Sequence, residues 1–439
     1  MTKYTQPRIL SGFMELLPED QILFDNMKKI IEETYKEFGF LPMDNPVIEL
    51  SEVLLAKAGG ETEKQIYRFN KGDNDLSLRF DLTVPLARYV SMNNANLVFP
   101  FKRYAIGKVY RGERPQKGRF REFYQCDIDV IGNETLSLMY DAEILAIIYT
   151  IFKKWGFSNF AINLNNRKML KGFFASLNIN EEDSAEILRI VDKLAKIGEE
   201  NVIAMLKDIN ISEGNVTKIM NFMKIDGFYK DIISELRKLN IDNELFVEGL
   251  NELEYVCDNV HSLGVPYDNY KINLTITRGL DYYTGTVYET FLNDYRSIGS
   301  VSGGGRYESL TKYYTDKSFP GVGASIGLTR LFYVFKELGI IKANKKCTSD
   351  VMVLSLGEDA KALEVATKLR KDGIKVDMCY IAKGMKQKMQ YANRLMIPYV
   401  ILIGEDEAKN NVLAFKNMNT GEQVSISYEE ALKILKEVE

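Results

Sequence analysis

The stretch that decides the fold runs from Tyr110 to Asp129 and reads Tyr110-Arg-Gly-Glu-Arg-Pro-Gln-Lys-Gly-Arg-Phe-Arg-Glu-Phe-Tyr-Gln-Cys-Asp-Ile-Asp129. Its ends belong to two strand-like runs, residues 99–110 and 121–131, so the pattern predicts two strands that flank a glycine-containing loop. Five cations concentrate there: Arg111, Arg114, Lys117, Arg119 and Arg121. Like charges this close repel one another unless an anion such as a polyphosphate or an RNA end binds. A hairpin tip with solvated charge is the alternative, and this stretch alone leaves both interpretations open.

A second informative stretch is Arg278-Gly-Leu-Asp-Tyr-Tyr-Thr-Gly-Thr-Val-Tyr-Glu289. It follows the alternating run 273–277, which predicts a strand with Arg278 at or near its end. Arginine offers a planar, permanently charged fork to carboxylate or phosphate, and adjacent tyrosines both stack and donate hydrogen bonds. The combination suits a small anionic ligand of aromatic size. A surface arginine beside two partly buried tyrosines is the competing interpretation.

Two glycine-rich stretches follow, Gly303-Gly-Gly-Arg-Tyr307 and Gly321-Val-Gly-Ala-Ser-Ile-Gly-Leu-Thr-Arg330. The first lets backbone approach a ligand closely, with Arg306 adding charge. The second predicts a helix start packed under a nucleotide, with Arg330 turned back to the phosphates. Neither contains the Gly-Lys-Ser/Thr of a Walker sequence or a Rossmann fingerprint.

Composition excludes several classes of function. The net charge of −4 argues against a continuous nucleic-acid-binding surface but allows a local basic groove. No apolar run reaches membrane-spanning length, and the first residues lack the apolar core of a secretion signal. Four scattered cysteines make a disulfide framework unexpected and favour a cytoplasmic setting. The single histidine, His261, excludes any mechanism that needs two imidazoles, and we interpret it as structural.

The chain is long enough for about three domains. A helix is predicted from Pro18 to Gly39, and residues 170–255 are helical in pattern and contain no chemical motif. Beyond Lys342 strands and helices alternate, which predicts a small, partly parallel α/β domain. We therefore expect four segments: residues 1–168 and 261–342 as two parts of one domain, 169–260 as a helical insertion, and 343–439 as a separate domain.

Taken together, these segments resemble histidyl-tRNA synthetases, which are class II aminoacyl-tRNA synthetases. Several matches occur in the family's order: Gly39-Phe40 with Pro46 for motif 1, Tyr110-Arg-Gly-Glu113 with Phe123 for motif 2, Arg278–Tyr283 and Gly304–Tyr307 for the two histidine signatures, and 321–330 for motif 3. Residues 384–392 and 403–407 match the family's anticodon-binding domain. The resemblance implies an α+β fold, with an antiparallel-sheet catalytic domain, a helical insertion and a C-terminal α/β anticodon-binding domain.

The resemblance also implies a role for each matching residue. Arg111, Arg278 and Arg330 are the expected catalytic cations, and ATP is expected to contact Arg111, Glu113, Arg119 and Arg330. L-Histidine is expected to contact Asp81, Thr83 and Gln125 through its α-amino group and Asp129 and Tyr283 through its ring, with Arg278 at its carboxylate and Tyr282 and Gly304 lining the pocket. For tRNA the expected contacts are Arg114, Gln116 and Lys386.

The implied activity is that of a histidine–tRNA ligase, which uses ATP with Mg²⁺ as co-substrate and needs neither a prosthetic group nor a dedicated metal site in the protein. The implied partners are L-histidine, ATP, tRNA(His) and a second copy of the chain, with no membrane. Two alternatives are a catalytically inactive paralogue that regulates histidine biosynthesis and an RNA- or nucleotide-binding protein without ligase chemistry.

Overall fold

The computed structural model describes residues 4–56, 61–115, 118–276, 282–308, 310–381 and 384–437. They form two compact units, a larger one up to Met14 and over Lys28–Leu338, and a smaller one of Glu15–Met27 and the chain from Gly339 onward. The division into four segments at residues 168, 260 and 342 stays a prediction.

The helices are α1 Pro18–Glu37, α2 Ser51–Leu55, α3 Glu61–Gln65, α4 Thr83–Asn93, α5 Met139–Lys154, α6 Arg167–Ser176, α7 Glu181–Val191, α8 Leu194–Ile197, α9 Glu199–Asp208, α10 Glu213–Met223, α11 Tyr229–Lys238, α12 Glu244–Ser262, α13 Leu328–Glu337, α14 Asp359–Lys371, α15 Met385–Arg394, α16 Glu405–Asn410 and α17 Tyr428–Lys436. The strands are β1 Leu41–Pro42, β2 Ile48–Leu50, β3 Arg68–Lys71, β4 Asn74–Leu78, β5 Phe101–Tyr110, β6 Glu122–Ile131, β7 Phe160–Asn166, β8 Tyr270–Ile272, β9 Tyr283–Leu292, β10 Ser302–Tyr307, β11 Gly321–Gly327, β12 Val351–Ser355, β13 Val376–Met378, β14 Tyr399–Ile403, β15 Leu413–Asn417 and β16 Gln423–Ile426.

An eight-stranded sheet in the order β1-β5-β6-β11-β10-β9-β7-β8 forms the centre of the larger unit. Its six central strands pair antiparallel, and the two edge strands pair parallel with their neighbours. The predicted pair of strands is present as β5 and β6, which run from Phe101 opposite Ile131 to Tyr110 opposite Glu122. This register places Arg103 opposite Asp129.

Strand β6 separates an apolar face from a polar one. Cys126, Ile128 and Val130 are fully buried on one face, where the hydroxyl of Tyr35 in α1 donates to the Cys126 carbonyl at 3.0 Å. Because side chains alternate along a strand, Gln125, Asp127 and Asp129 share the other face. All three are buried as well, which is unusual for polar groups and requires partners.

The chain between β7 and β8 is helical, from α6 to α12, in agreement with the helical pattern of that segment. His261 lies in α12, where its ring stacks on Tyr267 at 3.9 Å between centroids and its Nδ1 lies 3.3 Å from the Val265 carbonyl oxygen. The histidine is therefore held by structural contacts, as expected.

The predicted strand over residues 273–277 is wrong. Residues 273–276 form a turn after β8, in which Ile276 N–H donates to the Asn273 carbonyl at 3.1 Å. The Asn273 side chain accepts from both the backbone and the hydroxyl of Thr275, and this local pairing competes with a strand ladder. Thr277 lies outside the described residues.

The smaller unit contains a five-stranded sheet in the order β13-β12-β14-β15-β16. β12 pairs parallel with β13 and β14, whereas β14, β15 and β16 are antiparallel, so the predicted partly parallel α/β domain is confirmed. Alternate residues of β12 enter two cores: Val351 and Val353 pack with α14, and Met352 and Leu354 pack with Ala392 of α15. Helices thus cover both faces of this sheet.

No helix in the described part of the chain is both long and apolar enough to span a bilayer.

Candidate active site

An acidic pocket opens on the polar face of β6, next to β9, β10 and β11. It is lined by Asp81, Thr83, Gln125, Asp127, Asp129, Tyr282, Tyr283, Tyr307, Gly323, Ala324 and Ser325. Six residues expected to contact the substrate amino acid, Asp81, Thr83, Gln125, Asp129, Tyr282 and Tyr283, therefore lie together here although they are far apart in sequence.

Asp129 is held from two sides in the pocket. The hydroxyl of Tyr307 donates to its Oδ1 at 2.7 Å, and the guanidinium of Arg103 pairs with its Oδ2 at 2.8 Å. Arg103 is completely buried and also donates to the Leu82 carbonyl at 3.0 Å. Burial raises the pKa of Asp129 to about 6, even though Arg103 and Tyr307 both lower it.

Asp127 lies two residues before Asp129 on the same face of β6 and is only 2% exposed. Its carboxylate hydrogen-bonds Ser325, whose hydroxyl oxygen accepts from Gln125 Nε2 at 2.7 Å. Asp127 Oδ1 has no hydrogen-bond partner among the described residues. Burial raises the pKa of Asp127 to about 7; Arg103 lowers it and Asp129 raises it further.

The other wall of the pocket is built around the first turn of α4. Asp81 Oδ1 accepts from the backbone N–H groups of Thr83 and Val84 at 3.0 and 2.8 Å, which fixes its carboxylate. Thr83 hydrogen-bonds Tyr282, which in turn hydrogen-bonds Tyr283. Burial raises the pKa of both tyrosines, so they present neutral hydroxyl groups to the pocket.

Two glycines leave room for these side chains. A Cβ on Gly323 would meet Asp129 Oδ1 at 2.2 Å, and one on Gly305 would meet Tyr283 Cδ1 at 3.0 Å. Gly304 avoids a clash of a different kind. A Cβ added at this position would lie 2.1 Å from the carbonyl oxygen of Gly323 in the paired strand, so the clash is within the sheet. Its expected place in the pocket wall stays a prediction.

A cationic cleft adjoins the acidic pocket and shares Gln125 and Ser325 with it. The rest of its lining consists of Arg111, Glu113, Gly118, Arg119, Phe120, Phe123, Ser300, Val301, Ser302, Gly303, Gly327 and Arg330. All four residues expected to contact ATP are among them.

Arg111 lies where the cleft meets the pocket. Its guanidinium carbon is 4.4 Å from the Phe80 ring centroid and 5.1 Å from that of Phe123, so two aromatic faces hold it. Its Nε donates to the Phe80 carbonyl at 3.2 Å, and one terminal nitrogen lies 3.5 Å from Gln125 Oε1. Burial lowers the pKa of Arg111, which marks a cation with little solvent.

At the outer side of the cleft, Arg330 donates to the backbone carbonyls of Ile298 and Ser300. Burial lowers its pKa, and the neighbouring charge of Arg119 lowers it further. Arg119 is half-exposed and reaches Glu113 at 3.5 Å. Arg119 and Arg330 thus face one space, and among the described residues their only ion pair is the weak contact of Arg119 with Glu113. This arrangement attracts an anion with several charges.

The remaining predicted residues lie elsewhere or outside the described chain. Arg278, Gln116 and Lys117 are outside the described residues. Arg114 is exposed beside the cleft, and Lys386 is exposed on α15 of the smaller unit.

The expectation that Arg306 charges a ligand site is wrong. Arg306 is buried and pairs with Asp141 at 2.6 Å. It also donates to the carbonyls of Leu136 and Ser137. Every part of its guanidinium fork is therefore used within the fold.

Sequence reasoning missed Asp127, Arg103 and Ser325. Asp127 carries a signal in the sequence, since it shares the period-two face of Gln125 and Asp129. Arg103 becomes predictable once β5 and β6 are aligned, because the register puts it opposite Asp129. Ser325 has no such signal, since its contact depends on how β11 pairs with β6.

Comparisons with known proteins agree with this geometry. A family model described as histidyl-tRNA synthetase matches residues 12–331, and one described as an anticodon binding domain matches residues 350–438. The chain is 55% identical over 433 residues to a histidine–tRNA ligase of Clostridium tetani, which covers 98% of each chain. The chain belongs to the histidyl-tRNA synthetase family.

Solved structures extend the comparison to the fold. A crystal structure of histidyl-tRNA synthetase from Nostoc sp. PCC 7120 superposes with a TM-score of 0.91 at 38% identity and covers 99% of both chains. A protein from Bacillus halodurans, described as an ATP phosphoribosyltransferase regulatory subunit/histidyl-tRNA synthetase, gives a TM-score of 0.74 at 23% identity, with 90% of this chain and 97% of that one covered. The first comparison confirms the predicted class II synthetase fold with its C-terminal anticodon-binding domain, and the regulatory paralogue is the less supported alternative.

Proposed function

We propose that the acidic pocket and the cationic cleft form one active site that activates L-histidine with ATP and transfers it to the 3′ end of tRNA(His). The observation that carries this proposal is the shared wall of Gln125 and Ser325, which joins a buried acidic pocket to a cleft of arginines. A cationic amino acid fits the first and a polyphosphate fits the second. The junction is where a substrate carboxylate would meet the α-phosphate.

In the first step a carboxylate oxygen of histidine attacks the α-phosphorus of ATP. The bond from that phosphorus to the oxygen bridging to the β-phosphate breaks, and diphosphate leaves. We assign Arg111 and Arg278 to the α-phosphate, Arg119 and Arg330 to the outer phosphates, and Glu113 to the adenine side. Such a displacement depends on positioning and charge neutralisation and needs no side-chain base.

In the second step the terminal ribose hydroxyl of tRNA attacks the carbonyl carbon of the adenylate. AMP leaves, and a phosphate oxygen takes the hydroxyl proton. Arg114 beside the cleft, Gln116 and Lys386 of α15 are proposed tRNA contacts.

Histidine would lie with its α-amino group near Asp81, Thr83 and Gln125 and its ring near Asp129 and Tyr283. Gly304 and Tyr282 complete the proposed wall. A carboxylate accepts a hydrogen bond from a protonated ring nitrogen, and a tyrosine hydroxyl can donate to or accept from the ring, so both residue types suit an imidazole. A site built this way rejects analogues that lack the ring nitrogens by about 10⁴- to 10⁵-fold.

Mg²⁺ would arrive with ATP. It binds mainly to phosphate oxygens and water, with one or two carboxylates, and Glu289, an acid near Arg330, fits this role. The ion would neutralise phosphate charge; positioning is left to the arginines.

A cytoplasmic homodimer is the proposed form of the protein. Leu41, Val47 and Ile48 flank Pro46 and are each more than a third exposed, so they offer an apolar surface to a second copy. Sedimentation equilibrium is expected to give twice the chain mass; a monomer at micromolar concentration would exclude the dimer.

Histidine-dependent ATP–diphosphate exchange tests the first step, and charging of purified tRNA(His) tests the second. We expect both activities from the pure protein with Mg²⁺. Absence of exchange would leave the regulatory paralogue as the better assignment, and exchange without charging would confine the function to adenylate formation.

Two variants separate the proposed roles. Arg278→Ala is expected to lose most exchange activity while histidine binding falls less, because its charge acts on the reacting phosphate. Asp129→Ala is expected to lose discrimination against other amino acids. Equal losses of binding and exchange in the first variant, or unchanged discrimination in the second, would refute the respective role.

A further inference from the structure

Asp127 is the buried acid of the pocket that the proposed chemistry does not use. It lies on β6 between Gln125 and Asp129, in register with Ala105 of β5 and Ser325 of β11. Gln125 and Ser325 line both the cleft and the pocket, whereas Asp127 lines only the pocket. Asp127 therefore belongs to the pocket side of the wall that Gln125 and Ser325 form between the pocket and the cleft.

The two neighbouring carboxylates differ in how their oxygens are used. Asp129 has a partner on each oxygen, Tyr307 on one and Arg103 on the other. Asp127 hydrogen-bonds Ser325 but keeps Oδ1 buried and unpartnered among the described residues. A buried acceptor without a partner requires an explanation, and among the described residues that line the pocket Asp127 Oδ1 is the only such side-chain atom.

The pocket also contains more negative charge than its described residues neutralise. The charged and titratable groups that act electrostatically on Asp127, or on which it acts, come from every neighbouring element: Tyr35, Asp81, Arg103, Arg111, Cys126, Asp129 and Tyr283. Arg111 is assigned to the α-phosphate, which leaves Arg103 as the described cation that faces the carboxylates of Asp81, Asp127 and Asp129. A ligand with two positive groups would restore the balance.

We propose that Asp127 is a specificity-determining residue whose Oδ1 accepts a hydrogen bond from a ring nitrogen of the substrate histidine. This inference rests on the proposed function. Asp127 then binds one ring N–H and Asp129 the other, so the pocket holds the imidazole with both nitrogens protonated. The α-ammonium group has its own proposed acceptors, at Asp81 and Gln125.

This arrangement predicts how many protons are taken up from solvent when histidine binds. At pH 8 free histidine has a neutral ring, because the imidazole pKa is about 6.5. The free pocket has an ionised Asp127 at that pH, since its raised pKa is about 7. The complex therefore takes up close to one proton from solvent, and the uptake falls as the pH is lowered through 7, because ring and carboxyl already carry protons.

Calorimetry of the unmodified protein tests the balance without any variant. Histidine is titrated at pH 8 in buffers of different ionisation enthalpy, and the dependence of the heat on buffer gives the protons taken up. Uptake near one proton supports the proposal, and uptake near zero overturns it. Absence of any histidine binding would count against the proposed function itself.

Asp127→Asn then tests which group of the substrate donates a hydrogen bond to Asp127. The variant keeps the shape of the carboxylate and is expected to lower kcat/KM for histidine in ATP–diphosphate exchange about 10- to 100-fold. The comparison substrate is 3-(1,2,4-triazol-3-yl)alanine, which has the same α-ammonium group but a much less basic ring. We expect its kcat/KM to change less than 3-fold, an estimate for a substrate that makes no charged contact with Asp127.

Each outcome decides the assignment. A selective loss for histidine supports the ring contact, whereas equal losses for both substrates would place Asp127 at the α-ammonium group, and no loss for either would remove it from the site. Proton uptake by the variant near zero, with a melting temperature at or above that of the unmodified protein, would exclude misfolding as the cause of the loss.

Discussion

Two buried acid clusters in the larger unit differ in how completely they are neutralised. Asp141 and Arg306 form a matched pair, in which two neighbouring carbonyls use the rest of the guanidinium fork. Asp127 and Asp129 share Arg103, and one oxygen of Asp127 has no partner in the described chain. The first cluster stabilises the fold, whereas the second keeps binding capacity that a ligand completes. The difference teaches that an unused hydrogen-bond acceptor, more than burial or charge, distinguishes Asp127 from the structural acid Asp141.

The largest effect is expected from breaking the matched pair. Arg306→Met leaves Asp141 buried without a cation and should lower the free energy of unfolding by about 3–5 kcal/mol. The fluorescence of Trp155, the single tryptophan, follows unfolding in urea because it lies at the end of α5, the helix that holds Asp141.

Lys171→Ala is the control for that experiment. It removes an exposed ion pair with Glu181 and should change the same free energy by less than about 1 kcal/mol. If Arg306→Met were no more destabilising than this control, the pair would not have the structural role assigned to it.

The second-largest effect is expected from a change that displaces the carboxylate of Asp129. Gly323→Ala places a Cβ 2.2 Å from Asp129 Oδ1 and 2.5 Å from the Ile128 carbonyl oxygen, so the carboxylate must move. A displaced catalytic-site group costs on the order of 100-fold in rate, and we expect such a loss in kcat/KM for histidine in diphosphate exchange. Gly214→Ala, whose Cβ meets no atom within 4 Å, is the matched control and should be silent. Full activity of Gly323→Ala would mean that the position of Asp129 is not critical.

These two clusters also show what the sequence predicts and what it does not. The strand-like run 121–131 predicts β6, and the order of motifs identifies the family and with it the role expected of Asp129. Arg306 was misassigned because its partner Asp141 is 165 positions away and no local pattern connects them. The run 273–277 alternates like a strand, yet the side chain of Asn273 turns the chain. The Arg306 contact is decided by tertiary packing and the turn by local side-chain hydrogen bonds, and both override the periodicity of the sequence.

The third effect is on stability as a function of pH. The raised pKa of Asp127 means that the folded protein binds a proton more tightly than the unfolded chain, so stability falls as the pH rises from about 4 to about 7 and is constant above. Asp127→Asn removes this dependence. Relative to that of the unmodified protein, the free energy of unfolding of the variant should rise by up to about 1.4 kcal/mol per pH unit within that window.

Melting curves at pH 5 and pH 8 measure the gain. We expect a higher melting temperature for Asp127→Asn at pH 8 and a smaller difference at pH 5. A lower melting temperature at pH 8 would show that Asp127 stabilises the fold, as Asp141 does, and the contrast between the two clusters would disappear.

The smallest effect is expected from the smaller unit. Lys386 is exposed on α15, and its proposed partner is an RNA phosphate. Lys386→Ala should raise KM for tRNA(His) about 2- to 5-fold, leave diphosphate exchange unchanged and reduce the salt slope of tRNA binding by about 1. Lys436→Ala on α17 is the control, and equal effects of the two changes would assign the loss to general charge.

The most direct test of the central claim is a crystal structure of the protein with L-histidine and a non-hydrolysable ATP analogue. The account predicts the imidazole between Asp127 and Asp129, with a ring nitrogen within hydrogen-bond distance of each carboxylate, and the substrate carboxylate directed to Arg111. A ring bound by Asp129 alone, with Asp127 Oδ1 facing only protein or water, would contradict it.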